Sequence, residues 1–225
     1  MGWMILAILG VIGAATLFVI VTDGRYFGKR LMHRVYDHLG PAIFSARSEA
    51  EHWRDLAEAL NLRGDEALLD VGTAVGDLPL TIAAMPNFRG RVVGIDWSLR
   101  MVAVAQAEAT RRGLNSRASF QAADVRKALP FEDGEFDVVS CLGLLETLPH
   151  PDRILRELRR VLKPDGALVL SLYKGGPTQQ LVALGLDWYQ QHLTTLGLQD
   201  LQVVSCRRHH DVVIARRSVD SSGSV

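Results

Sequence analysis

The apolar residues of this chain fall into short continuous runs, separated by stretches in which apolar residues recur with helical spacing. Leu68, Leu69 and Val71 form the first clear run after the N-terminal region, the pattern of a strand covered on both faces. Strands are predicted at residues 68–71, 91–96, 118–122, within 129–142, and at 167–173, 201–206 and 211–215. Helices are predicted between them at residues 78–85, 99–112, 151–162 and 179–195. This alternation predicts an α/β fold with a seven-stranded, mostly parallel sheet and helices on both faces.

The first 22 residues carry no charged side chain, and residues 3–21 are almost wholly apolar. Such a run is about long enough to cross a bilayer as a helix, and the features of a cleavable signal peptide are missing. Basic residues occur only after it, at Arg25, Lys29, Arg30 and Arg34, which by the positive-inside rule places the following chain on the cytoplasmic side. We therefore expect a single-pass membrane protein. Gly10 and Ala14 form a small-residue pair that could join two anchor helices in a homodimer.

An amphipathic stretch follows the expected anchor. Phe27, Leu31, Val35 and Leu39 recur every four residues, which predicts a helix at 24–39 lying on the bilayer surface. Gly40-Pro41 is expected to end this helix, and a second helix is expected at 46–60. The predicted organisation is an anchor at 1–22, interfacial and capping helices at 23–62, an α/β domain at 63–217 and a disordered tail at 218–225.

Composition excludes some classes of function. The formal net charge is zero, so no overall positive field favours nucleic acid. No group of His and Cys residues has the spacing of a metal site. Cys141 and Cys206 lie in apolar runs, and we expect both to be buried, reduced thiols. The partners that remain are small molecules and the lipid bilayer.

The turn after the first strand is rich in small residues. Gly72, Ala74 and Gly76 would let the backbone approach a ligand closely before the next helix begins. The turn differs from the dinucleotide-binding pattern because its sixth position is Asp77, a carboxylate that would repel a pyrophosphate. A ligand with an ammonium group fits better. A turn without any ligand is the alternative.

Two further acids follow predicted strands. Asp96 ends the second strand, where a carboxylate can accept hydrogen bonds from two ribose hydroxyls. Ser98 is expected to cap the next helix, which leaves Asp96 available for a ligand. Asp124 comes just after the third strand. Since ligands of such sheets bind outside the carboxyl ends of the strands, both acids are candidate ligand residues.

In combination, these motifs resemble the class I S-adenosylmethionine-dependent methyltransferases. The matching segments are Asp70-Val-Gly-Thr-Ala-Val-Gly76, Gly94-Ile-Asp-Trp-Ser98, Ala123-Asp124, residues 129–139 and residues 155–168. The most similar subgroup includes the ubiquinone/menaquinone C-methyltransferases, which also carry an Arg-x-Tyr-Asp-like segment, here Arg34-Val-Tyr-Asp37. The family implies a Rossmann-like sheet and S-adenosylmethionine as cofactor. Ala74 in place of the middle glycine, and the expected membrane anchor, depart from the usual pattern.

The resemblance also implies roles for single residues. Asp70 would lie at the ammonium end of the cofactor, Asp96 would bind the ribose, Trp97 would lie against the adenine, and Asp124 would accept from its amino group. Residues 142–143 would line the methyl-donor side. The implied cofactor-binding residues are Asp70, Gly72, Thr73, Ala74, Gly76, Asp96, Trp97, Asp124, Val125, Leu142 and Gly143.

The catalytic residues depend on the acceptor, because a phenol or a carbon acid needs a base whereas a free amine only needs to be unprotonated. Glu146 and His150 are the best-placed candidates by position, with Tyr36 and His33 behind them. We expect a membrane-anchored methyltransferase that acts on a hydrophobic or amphiphilic acceptor, such as a quinone precursor, a phospholipid amine or a hydrophobic small molecule.

Two other classes of function are open. An NAD(P)-dependent reductase is disfavoured by Asp77 and by the lack of a Tyr-x-x-x-Lys pair. A catalytically inert membrane scaffold with the same fold would bind no cofactor, and the presence of both Asp96 and Asp124 argues against it.

Overall fold

The computed structural model describes residues 29–47, 50–173, 184–205 and 210–218, together with the helical residues Gly10 and Ala14. The helices are α1 (Lys29–Arg47), α2 (Ala50–Ala59), α3 (Asp77–Ala83), α4 (Leu99–Arg111), α5 (Pro151–Val161) and α6 (Leu186–Thr195), with a short 3₁₀ turn at Leu145–Thr147. The strands are β1 (Ala67–Val71), β2 (Arg91–Asp96), β3 (Ala118–Ala122), β4 (Phe136–Cys141), β5 (Leu162–Tyr173), β6 (Leu198–Val204) and β7 (His210–Arg217).

These seven strands form one sheet in the order β3-β2-β1-β4-β5-β7-β6. Neighbours from β3 to β5 pair in parallel, and β7 runs antiparallel to both β5 and β6. The predicted seven-stranded, mostly parallel sheet and its closing hairpin are confirmed. The strand order reverses between β1 and β4, and the crevice at such a reversal is where open α/β sheets bind ligands.

Alternate residues of each central strand face opposite layers of helices. In β1, Leu69 packs in a core cluster with residues of α5 and α6, whereas Leu68 packs in a second cluster with residues of α2, α3 and α4. Both side chains are fully buried. Strands buried on both faces read as continuous apolar runs, which is why the pattern predicted them.

Helix α1 continues through Gly40-Pro41, where the sequence was expected to end it. Pro41 has no backbone N–H, so the carbonyl of Asp37, four residues earlier, lacks its usual partner within the helix. Arg100 of α4 donates to this carbonyl at 3.4 Å. Gly40 is buried, and a Cβ at this position would clash with the Met101 side chain of α4. Contacts with α4 therefore stabilise a helix that the local sequence disfavours.

Other boundaries also differ from the prediction. The helix expected at 46–60 is shorter (α2), since residues up to Arg47 belong to α1. Strand β5 begins at Leu162, because this residue pairs with Phe136 on β4. The strand was expected to begin only at residue 167, after a turn that follows the helix. Ser218, the first residue of the tail expected at 218–225, donates to the Gly197 carbonyl through both its backbone N–H and its hydroxyl. Residues 219–225 and Cys206 lie outside the described residues, whereas Cys141 is buried and free as expected.

The prediction of a single-pass membrane protein is contradicted. Among the helices of the described ranges, none is both long enough and apolar enough to cross a bilayer. The longest of them, α1, has 19 residues but includes Lys29, Arg34 and Asp37. Apart from Gly10 and Ala14, the anchor expected at 1–22 lies outside the described residues. The homodimer contact inferred from these two residues stays a prediction.

One carboxylate is buried within the sheet itself. Asp70 on β1 is 5% exposed and is the register partner of Ser140 on β4, whose hydroxyl donates to Asp70 Oδ1 at 2.7 Å. Burial raises the pKa of Asp70 to about 6, even though the hydrogen bond from Ser140 acts in the opposite direction. The folded protein therefore keeps this proton over a pH range in which the unfolded chain, with a pKa of about 4, has lost it.

We expect Asp70→Asn to stabilise the ligand-free protein above pH 6. The free energy of unfolding contributed by Asp70 falls as the pH rises from about 4 to about 6, because the folded state then holds the extra proton. The advantage of the variant should therefore grow from near zero at pH 4 to at most about 3 kcal/mol at pH 7. Urea denaturation of both proteins across this range measures it.

Asp137→Asn is the matched control with the opposite sign. Burial raises the pKa of Asp137, but the hydrogen bonds from Lys163 and from the Ala67 N–H, together with the charges of Lys163 and Arg63, outweigh this effect, so the pKa is lowered overall. The stability deficit of the control variant should grow as the pH rises towards about 4 and stay constant above it, because the folded protein favours the ionised form of Asp137. A pH-independent difference for Asp70→Asn would contradict the prediction.

Candidate active site

The turn between β1 and α3 is held against the end of β2. The backbone N–H groups of Gly72 and Thr73 both donate to the carbonyl of Ile95 at 2.9 Å. Gly72, Ala74 and Gly76 have positive φ angles of 80°, 48° and 84°. This conformation is natural for glycine and costs an alanine about 1 kcal/mol, so Ala74 is held in it by its surroundings.

Asp96 provides the contact that holds Ala74. Its Oδ2 accepts from the backbone N–H of Ala74 at 3.0 Å, and its Oδ1 accepts from the N–H of Ser98 at 2.9 Å. Burial raises the pKa of Asp96, while these backbone hydrogen bonds lower it. The Ser98 hydroxyl caps α4 by accepting from Met101 N at 3.3 Å, as expected. One half-buried carboxylate thus ties together the two turns at this edge of the sheet.

Asp124 lies after β3 and forms a two-point ion pair. Arg126 Nε donates to Asp124 Oδ1, and Arg126 Nη2 donates to Oδ2, both at 2.8 Å. These contacts lower the pKa of Asp124. Arg126 was not predicted as a site residue, because an arginine two residues after an acid has no distinctive pattern. Asp124 is charged and can accept a ligand hydrogen bond only with its remaining lone pairs.

A cavity of about 310 Å³ opens at the carboxyl ends of β1 to β4. Its wall includes eight of the implied cofactor residues, namely Gly72, Ala74, Asp96, Trp97, Asp124, Val125, Leu142 and Gly143, and also Tyr36. Four strand ends therefore contribute to one cavity. This volume is within the range of small-molecule sites in proteins.

The remaining wall is mostly apolar and was not anticipated in detail. Phe44 of α1 stacks on Tyr36 with ring centroids 6.1 Å apart, and Met101 lines the cavity from α4. The segment after β4 adds Leu144, Thr147, Leu148 and Pro149. A 3₁₀ turn is too short to be recognised from sequence, so the sequence did not predict which side chains of this segment face the cavity.

Three implied cofactor residues do not line the cavity. Asp70 on β1 and Thr73 within the turn are buried, and Gly76 immediately precedes α3 at a position where a Cβ would lie 2.8 Å from the Phe120 ring. Their positions fit the shaping of the turn better than direct contact with a ligand.

The two acid–base candidates beyond β4 also lie off the cavity wall. Glu146 is 5% exposed, and its Oε1 accepts from the Ser171 hydroxyl at 3.3 Å. Ser171 in turn accepts from the N–H of Gly143 at 2.9 Å, so Glu146 supports the loop that lines the cavity. His150 is exposed at the N-terminus of α5. The geometry gives no support to either as a base, and the His33 side chain lies outside the described residues.

Comparison with known proteins gives a consistent result. Residues 69–170 match a family model described as a methyltransferase domain. The demethylmenaquinone methyltransferase of Lactobacillus johnsonii is 30% identical over 138 residues, which are 61% of this chain and 56% of the relative. The sterol 4-C-methyltransferase of Caenorhabditis elegans is 30% identical over 137 residues, which are 59% of this chain and 40% of the relative. The chain thus spans about half the length of these curated relatives.

Among solved structures, a SAM-dependent methyltransferase from Aquifex aeolicus superposes with a TM-score of 0.66 at 22% identity, over 79% of this chain and 98% of that protein. This likeness shows the fold. The family match covers the turn, Asp96, Asp124 and the loop after β4, which together make most of the cavity wall. Residues 69–170 therefore resemble a methyltransferase domain in sequence, and the sheet that contains them has the fold of the class I methyltransferases.

Proposed function

We propose that this protein transfers the methyl group of S-adenosylmethionine to a hydrophobic small-molecule acceptor. The observation that carries the proposal is the composition of the cavity. Carboxylates from the ends of β2 and β3 share one cavity with an apolar wall from α1, α4 and the segment after β4. The carboxylates suit a polar nucleoside with a cationic centre, and the apolar wall suits an apolar acceptor.

The cofactor residues of the cavity can be assigned by their chemistry. Asp96 would accept from the ribose hydroxyls with the lone pairs not used by Ala74 and Ser98. Trp97, 37% exposed at the cavity wall, would lie against the adenine. Asp124 would accept from the adenine amino group while it remains paired with Arg126. These assignments fit a nucleoside without a phosphate, because the turn at 72–76 has no Lys or Arg that could bind one.

The bound cofactor supplies an activated methyl group, and the protein has to align the acceptor with it. The acceptor atom must approach to about 3–3.5 Å in line with the bond that breaks. The turn at 72–76 and the loop at 142–144 are both fixed by hydrogen bonds, so they can hold one side of this geometry rigidly. Phe44, Leu144 and Leu148 would exclude water and orient the acceptor from the other side.

The relatives favour a ring-containing acceptor within this apolar class. By their names, one acts in menaquinone formation and the other methylates a sterol carbon. A quinone precursor therefore has more support than a phospholipid amine. Neither the reductase nor the inert scaffold gains support from these comparisons.

We expect Asp96→Asn to weaken the binding of S-adenosylhomocysteine by about 10- to 100-fold. An amide replaces a charged acceptor of hydrogen bonds, and each such bond contributes about 1.5–3 kcal/mol. Isothermal titration calorimetry of the folded variant measures the loss. Asp65→Asn, an exposed acid beside Arg63, is the control and should bind as the wild type does.

Equal affinities in the wild type and in Asp96→Asn would contradict the assignment of Asp96. Failure of the wild type to bind this ligand at all would contradict the proposed function.

The acceptor class can be tested with a cofactor that carries a deuteriomethyl group. The protein is incubated with a demethylated quinone precursor, a sterol, a phosphatidylethanolamine and a polar catechol. We expect mass spectrometry to find one added deuteriomethyl group on an apolar ring compound and none on the catechol. Methylation of the polar compound alone would show that the apolar wall does not select the acceptor.

A further inference from the structure

A hydrogen bond connects α1 to the first turn of α4. The Ser98 hydroxyl donates to Asp37 Oδ1 at 2.8 Å. Ser98 is 1% exposed and Asp37 is half-buried, so this contact is shielded from water on the Ser98 side. A charged acceptor makes it stronger than a contact between neutral groups.

Two more contacts in the same turn of α1 reinforce this attachment. Arg100 donates to the Asp37 carbonyl that Pro41 leaves without a partner in the helix, and Gly40 fits against Met101. Asp37 and Gly40 are three residues apart and therefore share one face of α1. Asp37 thus binds α4 through both its carboxylate and its carbonyl.

Ser98, the partner of Asp37, belongs to the turn at residues 96–98 that follows β2. Ser98 donates its backbone N–H to Asp96, and Asp96 also accepts from Ala74. A continuous series of hydrogen bonds therefore runs from the turn after β1, through Asp96 and Ser98, to Asp37 on α1.

The helix at the end of this series forms part of the acceptor wall. Tyr36 is adjacent to Asp37 along the chain, and Phe44 lies two turns further on, stacked on Tyr36. Both side chains line the cavity. The position of α1 on α4 thus decides where these two rings lie relative to the cofactor residues.

We propose that Asp37 is a positioning residue that couples the turn at residues 96–98 to α1. Binding of the cofactor at Asp96 then orders the acceptor wall formed by Tyr36 and Phe44. The proposal rests on the proposed function and assigns a regulatory link within the same site. A ligand at Asp96 restrains the 96–98 turn, and Ser98 passes this restraint to α1. Reciprocity requires that loss of the Asp37 contact weakens cofactor binding.

The test compares wild type, Asp37→Ala, Asp37→Asn and the control Glu58→Ala, an exposed acid on α2. Amide hydrogen exchange of residues 36–45 is measured with and without S-adenosylhomocysteine, and the affinity is measured by calorimetry. In the wild type, the ligand should slow exchange in this segment. In Asp37→Ala, the segment should exchange faster without ligand, most of the ligand protection should be lost, and binding should weaken about tenfold.

Asp37→Asn should recover most of the wild-type behaviour, because its amide oxygen can still accept from Ser98. Glu58→Ala should match the wild type throughout. Wild-type exchange and affinity in Asp37→Ala would overturn the coupling alone. Faster exchange across the whole sheet, without recovery in Asp37→Asn, would overturn it in favour of a purely structural role. Absence of any binding by the wild type would overturn the proposed function and the coupling with it.

Discussion

The site depends on the carboxylate of Asp96, which lies at the end of β2 between two turns that it holds by hydrogen bonds. One oxygen accepts from Ala74 and the other from Ser98. The contact with Ala74 fixes a residue whose positive φ angle is unfavourable for alanine, and the contact with Ser98 fixes the start of α4. A half-buried carboxylate that accepts from two backbone N–H groups still keeps lone pairs for a ligand. The two turns and the proposed recognition of a ligand therefore depend on the same group.

The acids around this point experience different environments. Burial raises the pKa of Asp70 and of Asp96, whereas Arg126 lowers the pKa of Asp124. A protein that buries carboxylates gives up stability in its ligand-free form, and a cationic ligand can offset this cost when it binds. Such groups are typical of functional sites, where charge is arranged for a ligand instead of for stability.

The two parts of the cavity differ in how they are supported. The proposed cofactor side belongs to the central strands, which are buried on both faces and joined by continuous ladders. The opposite side includes α1, which contacts α4 through Asp37 and carries exposed apolar residues such as Leu39 and Ile43. Under the proposed function, rigid support for the cofactor and a separately attached acceptor wall would allow one fold to serve different acceptors.

The sequence by itself determined the sheet, the small-residue turn and the acids at the strand ends, because these follow from local patterns of period, size and charge. Only the tertiary structure decided that α1 continues through Pro41, that Arg126 pairs with Asp124, and that Thr147 and Leu148 face the cavity in place of Glu146 and His150. The expected single-pass topology is contradicted as well, because no helix of the described ranges is long and apolar enough to cross a bilayer. The contact that attaches α1 joins Asp37 and Ser98 across 61 residues of chain. No periodicity links such distant positions, and the physical reason that they meet is the packing of α1 on α4.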